Sequence, residues 1–153
     1  MLFRSSLLRQ VRAWHAQLGR RRAGARELVW PPSGIAGLHR VEGEPGNQRL
    51  FLVTELLCSR ELVAEGSAMR HCVATYAHSC EQGRSAIFSL RVDAGAGLER
   101  RLTIDVNVKA RTIVEARGRF NAPAQPLDQR ILRAWAVQAR LTIAPYALGT
   151  RWG

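Results

Sequence analysis

The densest group of side chains that could carry out chemistry lies in residues 65–80, Glu-Gly-Ser-Ala-Met-Arg-His-Cys-Val-Ala-Thr-Tyr-Ala-His-Ser-Cys. If residues 68–81 form one helix, Cys72 lies in its first turns, where the helix dipole lowers the pKa of a thiol. Arg70 and His71 beside it add positive potential. These features would suit a nucleophilic cysteine. We nevertheless favour the interpretation of Cys72 and Cys80 as small core residues, because free cysteine is among the most buried residue types.

A thiol nucleophile also needs a histidine base. His71 is adjacent to Cys72 in the sequence, which is an awkward geometry for proton transfer, and the strands predicted below contain no histidine. His71 and His78 cannot ligate one metal from one helix, because helical ligands need i,i+3 or i,i+4 spacing. We therefore expect no metal site. The sequence contains no P-loop and no dinucleotide fingerprint, so we expect no cofactor either.

A second group of polar side chains follows three predicted strands. Apolar and polar residues alternate at 85–92, 101–108 and 112–117, which is typical of half-buried strands. Alternation could bring to one sheet face Arg91, Arg101, Thr103, Asp105, Glu115, Arg117, Arg119 and Asn121. Several arginines with threonine and asparagine could bind phosphates. The alternative is the ordinary solvated face of a one-sided antiparallel sheet.

Helices are predicted on both sides of these strands. A short helix through Leu62 is expected to stop at Gly66, and a second helix over about 68–81 to end at Gly83. Residues 49–54 suit a strand or a buried connection, and residues 127–141 suit a helix with one apolar face. The sequence therefore predicts an α+β fold with N-terminal helices, a three-stranded antiparallel β-meander and a C-terminal helix in a single domain.

The charge is strongly positive and unevenly placed. The 153 residues include 23 basic and 12 acidic side chains, a net charge of +11. Residues 1–26 carry seven arginines and no acid. Residues 2–18 also have the spacing of an amphipathic helix. We interpret residues 1–26 as a basic arm and 27–153 as the folded domain. The arm could bind nucleic acid, bind a membrane surface, pack on the domain or serve as a transit peptide.

Composition places the chain among ordinary globular proteins. Hydrophobic residues make up 46% and charged residues 23%. This composition excludes collagen-like and fully disordered classes, and no segment suits a membrane span. The three cysteines lack the pattern of a secreted disulfide framework. We therefore expect reduced thiols and a cytoplasmic protein.

Several ordered blocks of the sequence resemble the PcfJ-like family. They are Trp30-Pro-Pro-Ser-Gly-Ile35, Glu65-Gly66, Met69-x-His71-Cys72-Val73-x-x-Tyr76-x-x-x-Cys80-x-x-Gly83, Ile87-Phe-Ser-Leu-Arg91, Thr103-Ile104 and Ala116-Arg117-Gly118-x-x-Asn121. The family takes its name from a protein of a conjugative plasmid, and its members are often found on mobile elements. The resemblance therefore implies a genetic context and no particular reaction. Its pattern also marks candidate site positions: His71, Cys72, Tyr76, Arg91, Arg117 and Asn121.

Two functions from different classes follow. The first is a small nucleic-acid-associated protein of a mobile genetic element, for DNA or RNA, whose phosphate contacts come from Arg4, Arg9, Arg12, Arg20, Arg21, Arg22, Arg101 and Arg119. The second is an enzyme acting on a nucleotide or phosphate-bearing substrate, with a site around His71, Cys72, Arg91, Arg117 and Asn121. A basic arm that docks an acidic partner protein is a third interpretation.

Overall fold

Alternating apolar and polar side chains build a six-stranded sheet in residues 27–149, the part of the chain that the computed structural model describes. The strands follow one another across the sheet in sequence order: β1 (Leu38–Glu42), β2 (Arg49–Glu55), β3 (Ser85–Asp93), β4 (Leu98–Asn107), β5 (Thr112–Arg117) and β6 (Thr142–Ile143). Neighbouring strands are antiparallel, except that β5 and β6 are parallel. The three α-helices of this region are α1 (Ser59–Met69), α2 (Ala77–Glu81) and α3 (Pro126–Ala139).

The predicted α+β class is confirmed, whereas the predicted number of strands is wrong. The three predicted strands correspond to β3, β4 and β5, and two additional strands extend the sheet beyond β3 and one beyond β5. Segment 49–54, for which a strand was one of two interpretations, forms β2. Of the five residues of β1 only Leu38 is buried, and β6 has two residues. Neither segment offers enough alternation to predict a strand.

One face of the sheet packs against α3. The helix begins with Pro126 at its first position, which suits proline, and ends at Arg140 in the left-handed conformation (φ 59°). Trp135 lies 4.8 Å from Phe88 between ring centroids, and its indole N–H donates to the Ala36 carbonyl. This side holds the larger apolar core, which includes Phe51, Phe88, Leu102, Ile104, Ile131 and Trp135.

The opposite face is covered by α1, a 3-10 turn (Val73–Tyr76) and α2. Here a smaller apolar cluster joins Trp30, Leu56, Leu62, Tyr76 and Ile87. The Trp30 indole N–H donates to the Leu56 carbonyl, 3.0 Å away. The sheet is therefore buried on both faces over β3 to β5, and polar side chains on this second face lie beneath a helical layer.

The predicted helix boundaries around Gly66 are wrong. Helix α1 continues through Gly66 to Met69 and ends at Arg70, whose φ is 58°. The chain then turns back, so that the His71 carbonyl oxygen lies 2.8 Å from where a Gly66 Cβ would be. The glycine is thus needed for close approach and does not end the helix. Residues 68–81 form three pieces rather than one helix, namely the end of α1, the 3-10 turn and α2.

The basic arm at residues 1–26, with its predicted helix at 2–18, lies outside the described residues. The domain boundary placed at residue 26 therefore stays a prediction. Within residues 27–149, no helix has the length and apolar character needed to cross a bilayer.

Candidate functional site

A buried carboxylate organises the polar layer between α1 and the sheet. Glu65 lies on α1 with none of its side chain exposed. Its oxygens accept hydrogen bonds from Ser89 Oγ (3.0 Å), Arg100 Nε (2.9 Å) and Thr103 Oγ1 (2.5 Å). Three donors on two strands therefore converge on one helical carboxylate, and this satisfies its hydrogen-bonding capacity well.

His71 is the next member of the same network. Its Nε2 lies 2.8 Å from Thr103 Oγ1. Because the single Thr103 hydroxyl proton is donated to Glu65, we assign the Nε2 proton to His71, which then donates to Thr103. Burial lowers the pKa of His71 to about 4, so the imidazole is neutral at pH 7. His71 therefore serves as a fixed hydrogen-bond donor in this arrangement.

Two arginines face each other across β3 and β4 and share the same carboxylate. Arg91 is the cross-strand partner of Arg100, at a shift in register after Leu90. Glu65 Oε1 lies 2.9 Å from Arg100 Nε and 3.8 Å from Arg91 Nη2. The two side chains are 27% and 30% exposed. Like charges placed opposite each other repel, and one buried carboxylate compensates for only one of them. The group therefore keeps one net positive charge at the protein surface.

Arg100 also lines a cleft with a volume of about 220 Å³ at the same end of the sheet. Its walls include Arg101 and Arg119, together with Gly118 and Asp128. Arg101 donates from Nε and Nη2 to the two Asp128 oxygens, each at 3.1 Å, and this ties β4 to the start of α3. Arg119 is exposed and, within residues 27–149, has no carboxylate within salt-bridge distance.

A second buried cluster lies further along β4 and β5. Asp105 and Glu115 are cross-strand partners, and both are at least 95% buried. Burial and the Glu115 charge raise the pKa of Asp105 to about 7, and a hydrogen bond with Tyr76 opposes that shift. Burial and the two carboxylates in turn raise the pKa of Tyr76. Arg117 Nε lies 2.9 Å from Glu115 Oε2. Within residues 27–149, no three His, Cys, Asp or Glu side chains are grouped to hold a metal ion.

The solvated-face interpretation is wrong for the centre of this sheet. Thr103, Asp105, Glu115 and Arg117 are all buried. Period-2 alternation places them on one face correctly, but the layer of α1 and the 3-10 turn covers that face. Arg91 and Arg101, at the end of the sheet, keep exposed surface, as do Arg119 and Asn121 in the turn after β5.

The structure contradicts the less favoured interpretation, an activated thiol at Cys72. Cys72 lies in the link between α1 and the 3-10 turn and not in the first turns of a helix. It is buried, and burial raises the pKa of its thiol. Burial, followed by the charge of Asp105, raises the pKa of Cys80 to about 12. Both observations agree with the interpretation of these cysteines as core residues.

We therefore expect Cys72 and Cys80 to be inert towards iodoacetamide in the native protein. Alkylation needs an accessible thiolate, so both should react more slowly than the half-buried Cys58, on the order of tenfold or more. Peptide mass spectrometry after timed labelling measures this, and labelling in denaturant serves as the control. Preferential labelling of Cys72 at neutral pH would show that its thiol is activated after all.

The structure places four of the six family-marked positions in two networks and the other two outside them. His71 and Arg91 meet at Glu65, whereas Tyr76 and Arg117 belong to the cluster around Asp105 and Glu115. Asn121 lies in a 3-10 turn after β5 that packs against α1. Cys72 is a core residue. Four of the candidates therefore form two adjoining networks on one sheet face, and the six do not converge on one catalytic centre.

Sequence reasoning missed Glu65 and Arg100 as site residues. Glu65 is three residues after Leu62 and four before Met69, so it occupies the buried stripe of α1. A carboxylate on such a stripe is the signal that could have identified it. Arg100 precedes the predicted start of its strand at residue 101, whereas β4 begins at Leu98.

A protein-family model described as PcfJ-like protein matches residues 45–132. No curated protein and no solved structure matches the sequence. The matched range contains β2 to β5, α1, α2 and the first half of α3, and so includes both buried networks and the arginine-lined cleft. Because the match spans more than half of the 153 residues, the chain belongs to the PcfJ-like protein family.

Proposed function

We propose that this protein binds nucleic acid through the phosphate backbone, at the end of the sheet where its arginines are held in place. The observation that carries the proposal is the pair Arg91 and Arg100, which face each other and share Glu65. A guanidinium group has five N–H donors in a fixed plane. Arg100 uses its Nε on Glu65, and Arg91 uses its Nε on Ser89. Terminal N–H groups at this partly exposed position are oriented for a second anion.

The surrounding cleft supplies further phosphate contacts. Arg119 is exposed on one wall and suits a direct ion pair with a phosphate. Arg101, proposed from the sequence for the same task, is already paired with Asp128. We propose that Arg101 mainly shapes the cleft wall. Its remaining N–H donors are available to a phosphate oxygen of the nucleic acid. Glu99 and Asp128 on the walls limit the net positive charge of the cleft. The cleft is therefore better suited to positioning a nucleic acid than to attracting it strongly.

Strong attraction would come from the arm. Residues 27–149 carry 15 basic and 12 acidic residues, whereas residues 1–26 carry seven arginines and no acid. The arm, including Arg4, Arg9, Arg12, Arg20, Arg21 and Arg22, would therefore dominate affinity, with one counterion released per phosphate contact. The cleft would determine how the strand lies on the domain. As the family resemblance implies, we place this activity on a mobile genetic element, and the cysteine pattern of the sequence favours the cytoplasm.

The geometry favours binding over the alternative enzyme. In an enzyme of that kind His71 would act as a base, but here it is neutral, buried and hydrogen-bonded to Thr103. Cys72 has a buried thiol with a raised pKa. Arg117, also buried, pairs with Glu115. These side chains are occupied in packing and internal hydrogen bonds, and the exposed arginines beside them are the groups that can reach a polyanion.

The first test compares Arg119→Gln with Arg133→Gln in the full chain. Both arginines are exposed, but Arg133 lies on α3, where its guanidinium donates to Gln129. Removing one ion pair with a phosphate should weaken binding about fivefold near 0.1 M salt. Fluorescence anisotropy with labelled single-stranded DNA, duplex DNA and RNA measures this. We expect Arg119→Gln to weaken binding and Arg133→Gln to match the wild type. If both variants bound with the affinity of the wild type, phosphate binding at the cleft would be refuted.

A further inference from the structure

Phe120 is a large aromatic side chain displayed at the surface. The residue is 70% exposed, although a ring this apolar is ordinarily buried. Its backbone has φ 57° and ψ 31°, and the next residue, Asn121, also has a positive φ of 65°. Aromatic residues rarely adopt this left-handed conformation, and such outliers concentrate at functional positions. The conformation and the exposure together call for a functional explanation.

The turn that carries Phe120 is tightly held. Gly118 N donates to the Ala122 carbonyl (2.7 Å), and Asn121 N donates back to the Gly118 carbonyl (3.1 Å). A Cβ added at Gly118 would lie 3.5 Å from the Arg101 carbonyl, so the turn packs directly on β4. The ring therefore extends from a fixed base, which reduces the entropy lost when a ligand contacts it.

Phe120 does not itself line the arginine-lined cleft, but its neighbours in the same turn do. Gly118 and Arg119 precede Phe120 and line the cleft, and Ala122 and Pro123 follow it and line the cleft as well. An aromatic face next to guanidinium groups is the combination that single-stranded nucleic acid needs, because bases stack on the ring while phosphates pair with arginine. In a duplex the bases are already stacked in pairs and do not offer a free face.

We propose that the cleft binds single-stranded nucleic acid, with one unpaired base stacked on Phe120 and an adjoining phosphate on Arg119. This inference rests on the proposed phosphate-binding function and adds the class of nucleic acid and the residue that selects it. The charge of the cleft favours this ligand over an apolar protein segment, since a hydrophobic partner would bury Arg119 without an anion.

The test compares Phe120→Ala with Phe120→Trp in the full chain, using three probes of equal length: oligothymidylate, the same backbone without bases, and duplex DNA. Phe120→Ala should weaken oligothymidylate binding roughly 5- to 150-fold, which converts at 1.4 kcal/mol per tenfold to about 1–3 kcal/mol, the range for one stacked base. Binding of the abasic and duplex probes should be unchanged, and Phe120→Trp should restore wild-type affinity. A 2-aminopurine base should be quenched by the wild type and not by Phe120→Ala.

Each other outcome has a distinct meaning. Equal weakening of the oligothymidylate and abasic probes would show that the ring acts only on the shape of the turn, and stacking would be wrong. No effect of Phe120→Ala, with Arg119→Gln still weakening all probes, would overturn stacking and leave phosphate binding intact. Failure of the wild-type chain to bind any probe would refute the proposed function itself. The melting temperature of Phe120→Ala should equal that of the wild type, since the ring is exposed.

Discussion

Replacing Glu65 by alanine is expected to lower the free energy of unfolding by about 3 kcal/mol, because buried donors would be left without their acceptor. Ser89 and Thr103 hydroxyls would stay beneath α1, and neither has surface through which water could replace the carboxylate. Arg91 and Arg100 are partly exposed and can turn towards water, so they contribute less to the loss. A chain of this size should melt roughly 6–12 °C lower.

Two further variants make this result specific. Glu65→Gln keeps the shape and one acceptor oxygen, so it should fall between the wild type and Glu65→Ala. Glu81→Gln removes an exposed carboxylate from α2 and should leave the melting temperature unchanged. Thermal unfolding followed by circular dichroism measures all three. A wild-type melting temperature for Glu65→Ala would mean that the network around this carboxylate contributes nothing to the fold.

Replacing Asp105 by asparagine is expected to stabilise the protein at alkaline pH. The pKa of Asp105 is raised from 3.8 to about 7 in the folded state, mainly by burial and then by the Glu115 charge. The folded protein therefore binds the proton more tightly than the unfolded chain, so stability decreases as the pH rises from about 4 to 7. Asparagine removes that loss and can still accept the hydrogen bond from Tyr76. At pH 8 the gain should be a few kcal/mol, on the order of 1.4 kcal/mol per unit of pKa shift.

The pH dependence of the difference identifies its cause. The stability of Asp105→Asn relative to the wild type should be near zero at pH 4 and grow to its full value above pH 7. His71 acts in the opposite direction in both proteins, because its folded pKa of about 4 lies below the unfolded 6.5 and stability is lost as the pH falls through that window. Urea denaturation from pH 4 to 8, with the exposed Glu44→Gln as control, measures the difference. A variant less stable than the wild type at pH 8 would show that the folded protein stabilises the Asp105 charge.

The central strands could be predicted because their apolar residues alternate with polar ones, as the two faces of a strand require. In β4 the apolar residues Leu102, Ile104 and Val106 alternate with polar ones, and this pattern alone locates the strand. The edge strands β1 and β6 could not be found in this way. They are short and largely exposed, and β6 forms only because the chain after α3 returns beside β5.

The cover over the polar sheet face was harder to predict. Thr103 and Asp105 alternate as solvent-facing residues do, and nothing in β4 itself distinguishes a solvated face from one covered by a polar layer. The information lies in α1, where Glu65 occupies a buried position and is partnered across the sheet. The contact between Glu65 and β4 joins residues far apart in the sequence, and the periodicity of a single segment cannot predict it.

The helix boundaries failed for a related reason. Gly66 was interpreted as a stop because glycine commonly ends helices. In the structure it lies inside α1, where the His71 carbonyl needs the space that a side chain would fill. Whether two backbone segments approach closely depends on tertiary packing. Glycine is equally suited to ending a helix and to permitting such an approach, so the residue type alone does not distinguish the two.

The salt dependence of single-strand binding tests the central claim most directly. The equilibrium affinity of the full chain should decrease linearly in a plot of log K against log salt concentration. Removing one ion pair with a phosphate should reduce the slope for single strands by about 0.7. We predict that Arg119→Gln gives the shallower slope by that amount and that Arg133→Gln gives the wild-type line. A flat wild-type dependence, or an Arg119→Gln line that coincides with the wild type, would contradict phosphate binding at the cleft.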